Sequence, residues 1–339
     1  MSDTAFTVSR QGAVAHLRLC RPHAANSMTP WFWENLPLAV RDLDRTGDVR
    51  ALVISGEGRH FCSGMDISAF QGDGLRPDQS PAAREAFVHT VRRLQNALSS
   101  VSQARFPVIA AIQGACIGGA LDLVSACDLR FVAEDAYFRI EEINIGMMAD
   151  VGSLQRLPRL LPDAVLRQMA FCGTTLRAAQ AEALGFVNGV SADPLAAALA
   201  AAAEIARRAP LAVAGSKRAI DFAREHTVAE SLEQVALLQS AIWSTEDVLG
   251  AIAARAAKAD GSFVALAGLG YGSARTRMRL YLLVNKHPYC PFIPDTAEST
   301  DGENLSNPGR RAGRHYVRHA GRVASWRGRC ASRRRRLCH

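Results

Sequence analysis

Residues 13–19 alternate, with Ala15, Leu17 and Leu19 on one face and Val14, His16 and Arg18 on the other, which predicts a half-buried strand carrying His16 at its surface. Residues 51–54 and 108–112 are instead unbroken apolar runs, as expected of strands covered on both faces. Between them Thr29 and Pro30 read as an N-cap and first-turn pair. Trp33, Leu36, Val40 and Leu43 then recur at helical spacing, and Pro37 predicts a kink or a delayed start. Strands alternating with amphipathic helices argue for an α/β architecture. Beyond residue 190 the pattern becomes helical only: Asp193 and Pro194 open one helix, Pro210 interrupts, and 212–224, 229–239 and 246–258 read as three more. Such Ala-rich, modestly amphipathic helices are expected to pack against a partner subunit as well as their own core. After about Gly270 the periodicity fails. The expected organisation is a core over 1–192, a helical region over 193–266 and a basic, disordered tail over 267–339.

Composition changes this picture in one respect. The 339 residues are 48% apolar and 21% charged with a net charge of +8, which suits a globular protein and raises nucleic acid or an anionic membrane as partners. From Tyr271 onward, however, there are 15 Lys+Arg against 4 Asp+Glu, leaving 25 against 28 in the first 270 residues. The body is weakly acidic and the basicity belongs to the tail. Cys20, Cys62, Cys116, Cys127 and Cys172 are widely spaced with no CxxC, which predicts reduced, mostly buried thiols and no metal site. The N-terminus has no basic region followed by an apolar core, and the apolar run 194–203 is too short to span a bilayer, so a cytoplasmic location without membrane association is expected.

Three segments carry candidate chemistry. They are Gly58-Arg-His-Phe-Cys-Ser-Gly-Met-Asp-Ile67, Gly114-Ala-Cys-Ile-Gly-Gly-Ala-Leu-Asp122 and Glu141-Glu-Ile-Asn-Ile-Gly-Met-Met-Ala-Asp150. The first two place glycines just after predicted strands, the second where a helix over 120–127 should begin. Backbone N–H groups exposed at such turns form an oxyanion hole without side-chain chemistry. Neither turn fits a phosphate loop. Taken alone, Gly118 and Gly119 could equally serve only to let a helix approach a strand closely.

The run from Phe106 to Arg130, together with Arg21-Pro22 before Asn26 and Phe61-Cys-Ser-Gly-Met-Asp-Ile67, resembles the signatures of the crotonase (enoyl-CoA hydratase/isomerase) superfamily, in the right order. The similarity runs from about Phe6 to about Leu266. It implies a spiral of ββα units with a C-terminal helical trimerisation region, a homotrimer or dimer of trimers, and an acyl-coenzyme A thioester as substrate, with no cofactor beyond it. The resemblance assigns the oxyanion N–H groups to Met65 and Gly119, and thioester and coenzyme A contacts to Ala24, Ala25, Ser63, Met65, Asp66, Ile67, Gly118 and Gly119. Where hydratases of the superfamily have two glutamates twenty residues apart, this chain has Asp122 and Glu142, and Asp150 stands where they have glycine. The Asp122, Glu142, Asp150 set is similar to that of Δ3,5-Δ2,4-dienoyl-CoA isomerases. That implies Asp150 as base at C2, Glu142 as acid at C6 and Asp122 as their hydrogen-bonding neighbour. Ala120 in place of a glycine departs from the pattern and bears on substrate fit.

Each residue also has a plainer reading. Asp150 fits a helix N-cap before 151–157, Glu142 fits one of two solvated carboxylates, and Asp122 fits a first-turn acid. Asp128 reads as structural and His60 as a loop residue near the coenzyme. Enoyl-CoA hydration is the alternative activity. Nucleic-acid binding is a weaker one, carried only by Arg310, Arg311, Arg314, Arg318, Arg322, Arg327, Arg329 and Arg333 to Arg336 with Tyr316 and Trp326 interleaved. A tail without selected function, as a changed reading frame would produce, is the third.

Overall fold

A computed structural model describes residues 4–71 and 80–269 of the chain. The basic residues from Arg310 on, and nearly all of the expected tail over 267–339, lie outside the described residues. The opening hairpin pairs β1 (Phe6–Gln11) antiparallel with β2 (Val14–Leu19). Helix α1 (Pro30–Thr46) and strand β3 (Ala51–Gly56) follow, then α2 (Pro81–Gln103), β4 (Val108–Ile112), β5 (Ala115–Ile117) and α3 (Gly119–Ser125). Next come β6 (Leu129–Val132), β7 (Tyr137–Arg139), α4 (Ser153–Arg156), α5 (Asp163–Cys172), β8 (Leu176–Arg177), α6 (Ala178–Ala183) and β9 (Gly189–Val190). The described chain closes with α7 (Pro194–Ala206), α8 (Pro210–Ala223), α9 (Val228–Ile242) and α10 (Thr245–Ala256).

The strands form a six-stranded sheet in the order β1-β2-β3-β4-β6-β9, parallel from β2 onward, and a small sheet β5-β7-β8. The chain therefore winds as a spiral. Each turn lays a strand in the large sheet, then one in the small sheet, then a helix: β4-β5-α3 is one turn, and β6-β7 with α4 and α5 is the next. The turn before them does the same less formally, because Cys62, following β3, bridges in parallel to Cys116 of β5.

Strands β3 and β4 hold the centre because both faces are covered. Leu52, Ile54, Val108, Ala110 and Ile112 face the main core with α1 and α3, whereas Ala51, Val53, Ile109 and Ala111 pack on Ala198 and Ala202 of α7. Alanine on both sides lets α7 lie close to the sheet, which explains its Ala-rich sequence. Each fully buried Leu or Ile here contributes roughly 1.5–3 kcal/mol relative to exposure. Ala15, Leu17 and Leu19 are buried on β2 as the alternation predicts, while His16 is half-buried and hydrogen-bonded through Nε2 to Ser55 Oγ at 2.8 Å.

Thr29 caps α1, accepting from the Phe32 N–H, and Pro37 does not delay the helix, which starts at Pro30. It lies inside a continuous Pro30–Thr46 helix whose Phe32, Trp33, Leu36 and Val40 are buried on either side of it; packing offsets the missing hydrogen bond. Asp193 caps α7, and Pro210 starts α8 rather than merely interrupting. Helix α8 is tied to the core by Lys217, whose Nζ donates to Phe106 O at 3.1 Å and to Asp128 Oδ2 at 2.8 Å. Asp128 also accepts from the Val108 N–H at 2.7 Å, a structural role for this residue. Cys62, Cys116 and Cys127 are buried thiols, Cys20 is half-buried and Cys172 exposed. No helix among the described residues is long and apolar enough to cross a membrane.

Candidate active site

The spiral register builds the site. Cys62 and Cys116 are paired across neighbouring turns, so the residues three further along each strand, Met65 and Gly119, emerge at the same edge. Neither Met65 N–H nor Gly119 N–H meets an acceptor among the described residues, and Gly119 is the first residue of α3, where N–H groups lack intrahelical partners. The approach is close enough to require glycine. Gly64 has φ of +86°, and a Cβ there would stand 2.8 Å from Ile117 O and 3.1 Å from Gly119 N. Two adjacent free donors of this kind can bind a developing oxyanion.

A lock holds the first donor. Asp66 Oδ2 accepts from Arg21 Nη1 at 2.9 Å and Ser27 Oγ at 2.7 Å, and Oδ1 accepts from Ser68 N at 3.1 Å and Ser68 Oγ at 2.7 Å. These bonds, those of Ser68 and Ser27 foremost and Arg21 after them, hold the Asp66 carboxyl far below the usual carboxylate range. The flanking backbone bonds Met28 N to Gly64 O at 2.8 Å and Asp66 N to Met28 O at 3.0 Å complete the frame. Asn26, at φ of +54°, accepts from Arg21 N and donates to Glu57 O and His60 O. His60 in turn accepts from Ala115 N at 3.1 Å, which gives this loop residue a structural bond.

Of the expected thioester and coenzyme contacts, Ala24 and Ala25 lie on the Arg21–Met28 loop, joined to Ser63 by the Ser63 N to Ala25 O bond of 2.9 Å. Ile67 is 77% exposed beside them. Gly118, at φ of +56°, donates its N–H to Arg139 O. Asp66 is brought to the same loop, but its carboxylate is fully engaged within the chain. Met28 and Trp33 pack against Gly119, where an added Cβ would meet Met28 Sδ at 3.3 Å and the Trp33 ring at 3.6 Å.

The carboxylates arrive from three directions. Asp122 lies one turn into α3 and is fully buried; its Oδ1 accepts from both the N–H and the hydroxyl of Ser153, and its Oδ2 meets no hydrogen-bond partner among the described residues. Burial raises its pKa to about 6, against the lowering pull of the Ser153 bonds and Arg156, with Asp150 raising it further. Glu142 opens a 3-10 turn (Glu142–Ile145) after β7, and its Oε2 is likewise buried and meets no hydrogen-bond partner among the described residues. Burial first, then the charges of Asp122 and Asp150, push its pKa to about 7. Asp150 is half-buried, its carboxyl raised by desolvation, and its carbonyl accepts from Gln95 Nε2 at 2.7 Å.

These positions correct the plainer readings. Asp150 caps no helix, because α4 starts later, with Gly152 at its N-cap position. Glu142 is half-buried, with its Oε2 enclosed rather than solvated; Glu141, beside it, pairs with Arg139. Asp122 is buried beyond what a favourable first-turn acid needs. Sequence reasoning did not single out Ser153, Arg156 or the Arg21–Asp66 lock. Their importance comes from contacts 31 to 57 positions apart along the chain, for which local spacing holds no signal.

Residues 9–263 match the family described as Enoyl-CoA hydratase/isomerase. A rat protein named Delta(3,5)-Delta(2,4)-dienoyl-CoA isomerase, mitochondrial, is 36% identical over 267 residues, covering 77% of this chain and 82% of that protein. A Rhizobium meliloti protein named probable enoyl-CoA hydratase is 32% identical over 78% of this chain and 99% of its own length. Among solved structures, an enoyl-CoA hydratase from Polaromonas sp. JS666 superposes with a TM-score of 0.70 at 27% identity, covering 77% of this chain and all of the other.

Proposed function

The chain belongs to the enoyl-CoA hydratase/isomerase family, and from that premise we propose that it is a Δ3,5-Δ2,4-dienoyl-CoA isomerase acting on acyl-coenzyme A thioesters in the oxidation of unsaturated fatty acids. The observation that carries this reading is the third carboxylate. Asp150 acts electrostatically on both Asp122 and Glu142, and Glu142 lies against Gly118, the residue before the Gly119 N–H.

An α-proton of a thioester is too weakly acidic for a carboxylate unless the enolate charge is stabilised where it develops. In this reading Met65 N–H and Gly119 N–H bind the thioester oxygen and do so more strongly as it becomes an enolate. Asp150 takes the proton from C2, and the electron pair moves along the diene. Glu142 delivers a proton at C6, too far from C2 for one carboxylate to serve both. The division of labour needs one ionised and one protonated carboxyl at neutral pH. The raised Glu142, with its pKa near about 7, supports its role as the acid. Asp122, packed between helices, tunes its neighbours.

Hydration of a 2-enoyl thioester is the second reading, favoured by Asp122 and Glu142 occupying both hydratase positions; Asp150 weighs against it. Spectrophotometry separates the two. Isomerisation of a 3,5-dienoyl thioester creates the 2,4-dienoyl chromophore, whereas hydration destroys the 2-enoyl one. Chromophore formation is the expected result, and loss of the 2-enoyl band without it would favour hydration.

The reading extends to assembly and location. Leu232 and Leu237 of α9 and Leu249 and Ile252 of α10 are exposed apolar residues in the single chain, which supports a homotrimer or dimer of trimers built on the C-terminal helices. Light scattering tests this, a monomeric mass being the contrary result. A cytoplasmic location belongs to the same proposal, and cell fractionation tests it.

A further inference from the structure

Asp122, Glu142 and Asp150 are all pushed above the usual carboxylate range at one site, so something must decide which of them keeps a proton near neutral pH. We propose that Ser153 is the positioning residue that decides it: by donating both its N–H and its hydroxyl to one oxygen of Asp122, it holds Asp122 as the anion, so that the proton rests on Glu142. This inference rests on the dienoyl-CoA isomerase reading for its catalytic consequence.

The geometry supports it from both sides. Two donors on Asp122 Oδ1 favour the charged form and so oppose the burial that favours protonation. Arg156 adds a cation from the same segment, held in place by its bonds to Ser99 Oγ at 3.0 Å and Val151 O at 3.4 Å. An Asp122 anion beside Glu142 then disfavours a second negative charge there.

The other groups around the pair leave this assignment intact. The segment carrying Ser153 and Arg156 also presents Asp150 to Asp122, and β5 presents the neutral, buried Cys116 thiol. Helix α2 presents the uncharged Gln95 and Ser99 at the cluster. Around Glu142, Arg139 and Glu141 pair with each other, and on α5 the exposed Arg167 and Asp163 do the same. Arg156 is thus the cation that acts on Asp122, and Ser153 supplies the hydrogen bonds that Asp122 accepts.

The test follows the proton directly. Infrared titration of the free protein identifies the protonated carboxyl band that Glu142→Gln removes, and the pH profile of isomerisation is measured in parallel. In Ser153→Ala, the Glu142 band and the alkaline limb of the profile are expected to shift to lower pH by half a unit or more, about threefold in the proton equilibrium. Ser153→Thr, which keeps the hydroxyl, should restore both. Asp122→Asn, which removes the anion while keeping the side-chain shape, should shift the band the same way even if Ser153→Ala does not fold. An unmoved band in Ser153→Ala or Asp122→Asn, or a Thr variant that behaves like Ala, overturns the proposal. A band that moves as stated in a protein that does not isomerise dienes supports the inference about Ser153 and rejects the isomerase reading instead.

Discussion

Gly118, on the turn before the proposed oxyanion donor Gly119, lies against the carboxyl of Glu142: a Cβ on Gly118 would stand 3.3 Å from Glu142 Oε1. The oxyanion turn and the proposed acid therefore share one wall, and Gly118 occupies it at φ of +56°. Gly118→Ala should strain the backbone and push Glu142 out of line. The expected outcome is a loss of about 1–2 kcal/mol in denaturant unfolding and a larger proportional loss in kcat, about 10-fold or more. A variant with wild-type kcat would show that the contact has no catalytic weight.

Glu142 also makes a stability prediction. Its folded pKa of about 7 lies above the ordinary value of 4.5, so the folded protein binds more protons than the unfolded chain between those values, and stability falls as pH rises through that window. Glu142→Gln cannot ionise and should be more stable than wild type at pH 8, by about 1–3 kcal/mol, with little difference at pH 4. Urea midpoints at the two pH values measure this.

The Arg21–Asp66 lock predicts a split between rate and binding. Asp66→Asn keeps the size of the side chain but removes the charge that Arg21, Ser27 and Ser68 address. Because it loosens the loop bearing Met65 N–H, kcat should fall about 10-fold, with KM changed less than threefold, as expected when transition-state stabilisation is lost. The Asp66 carboxyl is held far below its usual range, so the lock contributes stability above the ordinary Asp pKa, lost as pH falls through its depressed folded value. The acid limb of the wild-type rate profile should not report Asp66.

Lys217 joins the helical region to the core. Lys217→Met removes its bonds to Phe106 O and Asp128 Oδ2 and leaves a part-buried carboxylate without its cation. The expected cost is about 1–3 kcal/mol in guanidinium unfolding, with the isomerisation rate per folded molecule unchanged.

Strands β2, β3 and β4 and helices α1, α3 and α7 to α10 were legible because their signals are local, whereas β1, the short strands β5 to β9 and helices α2, α5 and α6 were not singled out. The alternation around Leu17, the apolar run of β4 and the Thr29 and Asp193 caps each depend on neighbours within a few residues. Pro37 does not delay the start of α1, because tertiary packing of Trp33, Leu36 and Val40 outweighs its local preference. At the site, the Met65 and Gly119 turns and the three acids were legible as motifs. Their roles came from the family resemblance and not from local pattern, because the spatial grouping depends on the Cys62–Cys116 register, which brings separate turns of the spiral to one edge. Asp150 shows the same limit: by local rules it is an N-cap, and only the path of the chain into α4 takes it away from that role. Ser153 had no local signal, since a serine at the start of a helix is unexceptional until Asp122 is seen buried against it.

The most direct measurement is the rate of 2,4-dienoyl chromophore formation from a 3,5-dienoyl thioester by the wild type and by Asp150→Asn, with thioester affinity determined alongside. The account predicts turnover by the wild type, a loss of about 1,000-fold or more in Asp150→Asn, and affinities within about threefold of each other, because the carboxylate acts on the transferred proton rather than on binding. Wild-type turnover in Asp150→Asn, or a wild-type protein that hydrates 2-enoyl thioesters and leaves the 3,5-diene untouched, would contradict it.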